Sequence, residues 1–181
     1  MEFVSTDMPG LLQVSLSRHD DVRGRFVKVF HEPTYRSNGL ATHFSEEFYS
    51  QSSRRVLRGL HFQTPPHESI KLVYCVEGCV LDAVVDLRRN SPTFGQHRCF
   101  ELDAQRPSAL YIPSGLAHGF YVLSDSALMV YKVTEPYSPD HDLGIRWDSC
   151  AIPWQDADPI ISSRDSRFPE FKNYQTPFSF K

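Results

Sequence analysis

The sequence lacks the features that mark membrane, secreted and nucleic-acid-binding proteins. Nowhere in its 181 residues is there an uninterrupted run of the roughly 18 apolar residues that a membrane helix needs. The stretch 1–9 carries Glu2 and Asp7 and no long apolar core, so we expect no secretory leader and a cytoplasmic protein. Charged residues of both signs are scattered and the net charge is −3, which leaves neither a basic stripe for nucleic acid nor a polybasic membrane patch.

Cysteines and repeats are also sparse. There are four cysteines, none of them in a CxxC pair, and three lie within strand-like apolar runs, so we predict reduced core residues and neither disulfides nor zinc ligands. No internal repeat or low-complexity stretch is present, and a chain with 40% apolar residues can bury the core of one domain. We predict a single domain over 1–181, with its core at about 10–135 and a loop-rich tail at 136–181 anchored by Trp147 and Trp154.

What the chain does contain is a series of short β-type segments separated by turn residues. Roughly ten such segments, with no alternation of strands and long helices, predict an all-β protein with an antiparallel jelly-roll sandwich or barrel. One helical turn is expected at 32–38, ending at Gly39. Turn residues between neighbouring segments predict three hairpins: 11–16 with 25–30, 70–76 with 79–86, and 119–123 with 127–134.

The stretch 56–63, Val-Leu-Arg-Gly-Leu-His-Phe-Gln, holds the strongest single signal for a site. It reads as a buried strand, yet it contains Arg58 and His61, and burying such groups costs several kcal/mol unless each has a partner. A core histidine and an ordinary ion pair would also explain them. Because residues three apart face opposite sides of a regular strand, we predict a local irregularity at Gly59 that lets both side chains serve one cavity.

Two neighbouring segments place charged residues on the same face as apolar ones. Lys71 shares a strand face with Val73, and Asp82 shares one with Val84 and Asp86. Such a mixed face indicates a polar-lined cavity between the sheets, although a solvated sheet edge is the rival interpretation.

The stretch 113–118, Pro-Ser-Gly-Leu-Ala-His, has the Pro-x-Gly-x-x-His spacing that supplies one metal ligand in metal-binding members of the cupin jelly rolls it resembles. A metal site needs several ligands, and the His-x-His pair of those members is missing, because Phe62 and Gln63 follow His61. We therefore expect no metal and no other cofactor, and expect His61 and His118 to be imidazoles in a metal-free cavity.

Several motifs in order resemble one family. They are Arg-Gly-Leu-His-Phe-Gln at 58–63, Lys-Leu-Val at 71–73, Val-Asp-Leu-Arg at 85–88 with Ser-Pro-Thr-Phe-Gly at 91–95, the 112–120 stretch and Tyr-Lys-Val-Thr at 131–134. Over about 10–167 the chain resembles the dTDP-4-dehydrorhamnose 3,5-epimerase family. The resemblance implies a dimeric cupin jelly roll without a metal, acting on a nucleotide-linked 4-keto-6-deoxy sugar.

The resemblance also implies catalytic roles. His61 matches the family's base and Asp165 the carboxylate that orients it, while Tyr131 matches the acid that returns a proton from the opposite face. Lys71 would be the cation at the enolate oxygen, which a neutral imidazole needs if it is to remove a proton beside a ketone. Taken alone, each of these residues has an ordinary structural explanation, and only their combination points to chemistry.

Substrate-binding residues transfer from the family less completely. Arg23, Arg58 and His118 match positions that contact the diphosphate or sugar, Tyr137 matches the aromatic on which the base stacks, and Asp142 and Arg164 replace the family's usual Glu and Lys. Larger departures are Glu46, Glu47 and Phe48 in place of Gln-Asp-Asn, and Lys28 in place of Glu, because carboxylate and phenyl groups cannot donate as amides do. These changes leave open whether the nucleotide is dTDP, CDP or GDP.

Two alternatives remain open from the sequence. One is a single-centre epimerase or a related ketoisomerase, because the number of inverted centres depends on how the sugar ring sits. The other is a sugar-binding cupin without turnover, which would not need Tyr131, Asp165 and Lys71 together.

Overall fold

The computed structural model describes residues 1–180, which fold mainly into two antiparallel sheets. The six-stranded sheet has the order β1 (Glu2–Ser5), β2 (Leu12–Ser15), β10 (Ser108–Ile112), β7 (Lys71–Glu77), β12 (Ser126–Val133) and β5 (Glu46–Ser53). The five-stranded sheet has the order β13 (Asp142–Gly144), β6 (Leu57–Gln63), β11 (Leu116–Val122), β8 (Cys79–Asp86) and β9 (His97–Asp103). Smaller elements are a hairpin of β3 (Arg18–Asp21) and β4 (Gly24–Val27), helix α1 (Glu32–Ser37), and single 3₁₀ turns at Asp165–Arg167 and Phe171–Asn173.

The main core lies between the two sheets. Along β12 every second residue is buried, as the alternation of side chains across a strand requires when one face meets a core. Val73 and Met129 of the six-stranded sheet pack in one cluster with Val84 and Phe120 of the five-stranded sheet, and each is at most 1% exposed. Full burial of one such side chain contributes about 1.5–3 kcal/mol, so this cluster holds the sheets face to face.

The predicted all-β jelly roll is confirmed, but all three predicted hairpins are wrong. Strand β7 lies between β10 and β12, whereas β8, which follows directly, lies between β11 and β9 in the other sheet. The connection at Gly78 (φ +79°) approaches β12 so closely that a Cβ there would lie 2.0 Å from the Ser126 carbonyl oxygen. In the same way the chain changes sheets between β11 and β12. Turn residues mark where a strand stops, but not which sheet receives the next strand.

The first predicted hairpin is also wrong in its partners. Residues 11–16 contribute β2, which pairs with β1 and β10 in the six-stranded sheet. The hairpin is instead formed by β3 and β4, whose residues are exposed except for partly buried Val27. The predicted helical turn is confirmed as α1, which buries Tyr35 and is followed by Gly39 at φ +70°.

The C-terminal region packs on the five-stranded sheet. Strand β13 pairs with β6, and Phe178 joins a second buried cluster with Leu60 and Phe62. Trp154 packs against that cluster and donates from Nε1 to the carbonyl oxygen of Trp147 at 2.9 Å. All four cysteines are free. No helix among residues 1–180 is long and apolar enough to cross a membrane.

Candidate active site

A cavity of about 390 Å³ opens between the sheets and is lined by side chains from β5, β6, β7, β11 and β12 and from the segment that follows β12. Most of the site residues predicted from the sequence line it, although they are far apart in the chain. These are Glu46, Phe48, Arg58, His61, Lys71, His118, Tyr131, Tyr137, Asp142 and Arg164.

The irregularity predicted at Gly59 is confirmed. In the pairing of β6 with β11, His61 lies opposite His118 but Arg58 lies opposite Phe120, so the register slips by one residue between them. Gly59 has φ +133°, and a Cβ on it would lie 2.6 Å from the Cα atom of Gly119. Only glycine tolerates both conditions. The slip lets Arg58 and His61 both reach the cavity despite their spacing of three.

His61 is held by a buried carboxylate. Its Nε2 atom lies 2.9 Å from Asp165 Oδ1, and the other oxygen, Oδ2, accepts the Gly59 N–H at 3.1 Å. Burial alone would raise the pKa of the Asp165 carboxyl, but the hydrogen bonds from His61 and Gly59 bring the pKa below its usual value. Asp165 is therefore a charged, oriented partner that lies behind His61, outside the cavity surface.

Lys71 brings an amine to the same part of the cavity. Its Nζ atom donates to the His61 carbonyl oxygen at 3.2 Å. Burial lowers the pKa of Lys71 to about 8, although Asp142 and Asp82 act in the opposite direction. The amine is therefore cationic at neutral pH and only weakly solvated, which strengthens its interaction with any developing negative charge.

Tyr131 faces the cavity from the other sheet. It lies on β12, whereas His61 lies on β6, so the phenol and the imidazole project from opposite walls. The Tyr131 hydroxyl lies 3.4 Å from Ser50 Oγ, and burial raises the pKa of the phenol well above its usual value. A phenol in this setting stays protonated, so it can supply a proton but does not carry a standing negative charge.

The structure adds one residue whose role the sequence did not suggest. Asp82 Oδ2 lies 2.7 Å from His118 Nε2, and both side chains are at most 4% exposed. Burial raises the pKa of Asp82, and its other oxygen, Oδ1, has no hydrogen-bond partner among residues 1–180. The signal in the sequence was Asp82 on a strand face that it shares with Val84, which indicated a polar-lined cavity but not the partner of Asp82.

The remaining cavity residues form a polar rim. Arg58 Nε donates to Ser52 Oγ at 2.9 Å. Arg164 donates to Asp142 at 2.7 Å, so their charges largely neutralise each other. Tyr137 is 61% exposed, and its backbone N–H donates to Glu46 Oε2 at 2.7 Å.

Two predicted binding residues lie outside this cavity in the same chain. Arg23 lies at the tip of the β3–β4 hairpin, where its side chain is 86% exposed and pairs with Asp21 at 2.5 Å. Lys28 lines a separate cavity of about 260 Å³ at the base of that hairpin, together with His19 and Phe26. Among residues 1–180, no three His, Cys, Asp or Glu side chains are grouped as metal ligands would be.

This arrangement supports proton transfer at carbon. An imidazole backed by a carboxylate can take a proton, a weakly solvated ammonium can stabilise the anion that results, and a phenol on the facing wall can return a proton from the other side. The Arg58 guanidinium and the exposed Tyr137 ring at the rim suit a substrate that carries phosphate and a ring.

Comparisons with known proteins give the chain's family. The model of the dTDP-4-dehydrorhamnose 3,5-epimerase family matches residues 5–173. The enzyme of that name from Shigella flexneri is 38% identical over 174 residues, covering 94% of this chain and 96% of the relative. The structure of an epimerase from Legionella pneumophila in complex with dTDP-4-keto-L-rhamnose matches with a TM-score of 0.94 at 32% identity, covering 99% of both chains.

A further solved relative has a narrower activity. The 3′-monoepimerase ChmJ from Streptomyces bikiniensis, in complex with dTDP-quinovose, matches with a TM-score of 0.86 at 32% identity, covering 91% of this chain and 85% of the relative. The family match spans most of the chain and includes both sheets and the cavity between them. The chain therefore belongs to the dTDP-4-dehydrorhamnose 3,5-epimerase family.

Proposed function

We propose that this protein is a nucleotide-sugar epimerase that inverts C3 and C5 of dTDP-4-dehydro-6-deoxy-D-glucose by removing and returning protons beside the C4 ketone. The observation that carries the proposal is the placement of the His61–Asp165 pair and the Tyr131 phenol on opposite walls of one cavity, with Lys71 beside His61. Inverting a carbon centre requires a proton to leave from one face and return to the other, which this arrangement provides.

In the first step His61 removes a proton from the carbon next to the ketone. The Asp165 carboxylate orients the imidazole and stabilises the imidazolium that forms, by the same logic as other His–Asp pairs. The electrons move to the C4 oxygen as an enolate, and Lys71 supplies the positive charge that stabilises it. Electrostatic stabilisation of this kind contributes about 10²–10³ in rate per well-placed donor.

In the second step Tyr131 donates a proton to the opposite face of the same carbon. Its raised pKa keeps the phenol protonated until the basic enolate carbon takes the proton. The phenolate is then reprotonated from solvent and the imidazolium loses its proton, so the enzyme is regenerated. Repeating the cycle at the second carbon gives double epimerisation.

The rim residues bind the nucleotide part of the substrate in this proposal. Arg58 and His118 contact the diphosphate or the sugar, and the exposed Tyr137 ring stacks on the base. The Asp142–Arg164 pair and Glu46 complete the rim, and Phe48 lies beside Tyr131.

The active form is proposed to be a homodimer in which the β3–β4 hairpin reaches the partner's cavity. The resemblance assigns Arg23 and Lys28 to substrate binding, yet neither lines the cavity of its own chain. The hairpin is also exposed and carries apolar side chains, with Phe26 60% exposed and Val22 fully exposed. Covering such a patch with a second copy would place the Arg23 guanidinium near the diphosphate of the substrate bound in the partner's cavity.

Mixed dimers test the hairpin's role. If Arg23 acts on the partner's site, a dimer of one Arg23→Ala chain and one His61→Asn chain retains one complete site and therefore activity. If Arg23 acts within its own chain, both sites of that dimer are defective and activity stays at the level of the single variants. A wild-type protein that sediments as a monomer under assay conditions would contradict the dimer itself.

The reaction is tested by NMR in heavy water. We expect the wild-type protein to place deuterium at both C3 and C5 of dTDP-4-keto-6-deoxy-D-glucose and to form the 4-keto-rhamnose configuration. Label at C3 alone would support the single-centre alternative, which the similarity to a 3′-monoepimerase favours. Parallel reactions with CDP- and GDP-linked sugars test whether Glu46 and Lys28 have changed the base preference. If none of these sugars takes up deuterium, the proposal fails, and binding of the sugars without exchange would support the binding-module alternative.

A further inference from the structure

We propose that Phe48 is a positioning residue that holds the Tyr131 phenol at the angle needed for proton delivery, so that it controls inversion without taking part in proton removal. The inference rests on the proposed function of the same cavity.

The contact between the two rings is direct and specific. Phe48 and Tyr131 are paired partners in the register of β5 with β12. Their ring centroids lie 4.8 Å apart and the ring planes differ by 14°, which is a stacked arrangement. Both side chains line the cavity. Parallel stacking restrains the tilt of the phenol ring in a way that a shorter polar side chain cannot.

Ring packing matters here because the Tyr131 hydroxyl is weakly held. Among residues 1–180 its hydrogen bond is to Ser50 Oγ at 3.4 Å, well beyond the 2.5–3.0 Å usual for two oxygens. The base on the facing wall has much firmer support, since His61 is fixed by a 2.9 Å contact with a buried carboxylate. The acid must therefore be positioned through its ring, and Phe48 covers one face of that ring.

A second ring completes the restraint. His118 meets Tyr131 edge to face, with centroids 6.1 Å apart and planes at 68°. His118 is in turn fixed by Asp82 at 2.7 Å and is almost fully buried. The phenol is thus held between a rigid imidazole edge and the Phe48 face. Of these two supports Phe48 is the one that can be changed with less effect on the fold, because it is 44% exposed and lies on an edge strand, whereas His118 is buried.

The expected effect is selective. Misplacing a reacting group by about 1 Å costs about 100-fold in rate. We therefore expect Phe48→Ala to lower the rate of inversion about 10- to 100-fold, while deuterium exchange catalysed by His61 changes less than about threefold. Phe48→Tyr retains the stacked ring and should restore inversion to near the wild-type rate, whereas Phe48→Leu should give an intermediate loss.

The chain offers a matched control on the same strand. Tyr49 is the next residue of β5, points to the other face and is 70% exposed outside the cavity. Tyr49→Leu removes a comparable aromatic ring and should leave both exchange and inversion unchanged. Thermal denaturation of each variant checks that the fold is retained.

A double-mutant cycle separates positioning from other roles of Phe48. If Phe48 acts through Tyr131, then Phe48→Ala should add no further loss of inversion in a Tyr131→Phe background. An additive loss in that background overturns the proposal, as does a Phe48→Ala variant in which exchange and inversion fall equally. A rise in KM with an unchanged kcat would also overturn it, because that result means that Phe48 only binds the sugar.

These outcomes are distinct from failure of the proposed function. If the wild-type protein catalyses no exchange on any of the nucleotide sugars, the epimerase assignment fails and the ratio of inversion to exchange has no meaning. If the wild type exchanges and inverts but Phe48→Ala leaves that ratio unchanged, the epimerase assignment stands and only the role of Phe48 is refuted.

Discussion

Replacing Lys71 by Met should make the protein more stable and much less active at the same time. The Lys71 ammonium is weakly solvated between the sheets, and burial lowers its pKa from 10.5 to about 8. Each unit of pKa corresponds to about 1.36 kcal/mol, so the charged form costs the folded state roughly 3 kcal/mol. Met has a similar volume and no charge. Met cannot donate the hydrogen bond that Lys71 makes to the His61 carbonyl oxygen, and the loss of this bond reduces the gain by about 1 kcal/mol. We therefore expect a net gain in unfolding free energy of roughly 2 kcal/mol.

The stability difference between Lys71→Met and wild type should depend on pH in a defined direction. Below pH 8 Lys71 is charged in both the folded and unfolded chains, so the folded state bears the full cost of burying the charge. Between about pH 8 and 10.5 the unfolded chain holds more protons than the folded one, so wild-type stability rises with pH. The difference in unfolding free energy between Lys71→Met and wild type should therefore be largest at pH 7 and should decrease toward pH 10.

Chemical denaturation at pH 7 and pH 9.5 measures this difference, and initial rates of epimerisation measure the loss of activity. We expect Lys71→Met to lower kcat about 10²–10³-fold, as removal of one donor at an oxyanion does. Wild-type activity should also decline above about pH 8, as the Lys71 ammonium loses its proton.

Lys132→Met is the matched control for Lys71→Met. Lys132 lies on β12, where its Nζ atom pairs with Glu47 at 2.5 Å outside the cavity, so this change should bring no gain in stability and little loss of activity. A Lys71→Met protein that is no more stable than wild type at pH 7 would refute the buried-charge reasoning. Retention of more than a tenth of the wild-type rate would refute the role at the enolate.

Three further predictions concern the other parts of the site. Tyr131→Phe should keep deuterium exchange within about tenfold of wild type but lower inversion about 10²–10⁴-fold, the range typical of a general acid; equal losses would argue against an opposite-face acid. Asp165→Asn should lower exchange about 10²–10⁴-fold, because the imidazole loses its charged partner; exchange near the wild-type rate would exclude that role. EDTA should leave the epimerisation rate within about twofold of that of the untreated protein, and a loss of activity that one divalent ion restores would overturn metal independence.

Much of the site was predictable because its constraints are local. Arg58 and His61 stand three apart around a glycine, so strand geometry alone required an irregularity at Gly59 for both to reach one cavity, and the register slip is present. The charged residues within apolar strands likewise indicated a polar cavity, and Lys71 and Asp82 lie in it or beside it. The family motifs then identified distant residues such as Tyr131 that spacing alone could not connect.

What the sequence did not reveal depends on long-range placement. Turn residues between β7 and β8 suggested a hairpin, but the strands belong to different sheets, because core packing and not turn chemistry decides where a strand goes. The Asp82–His118 and Phe48–Tyr131 contacts join residues 36 and 83 positions apart, and no local pattern encodes such pairings. Arg23 lies outside the cavity of its own chain because it is on the exposed β3–β4 hairpin, and a sequence motif does not predict that position either.

We propose that His61 removes the proton beside the ketone, and deuterium uptake by the sugar, measured for wild type and His61→Asn in parallel, tests this role. His61 is partly exposed to the cavity and its loss removes little core volume, so the variant should fold as the wild type does. We predict that it incorporates no deuterium at C3 or C5 above the uncatalysed rate, while wild type labels both positions. Substantial deuterium uptake with folded His61→Asn would show that a group other than His61 is the base.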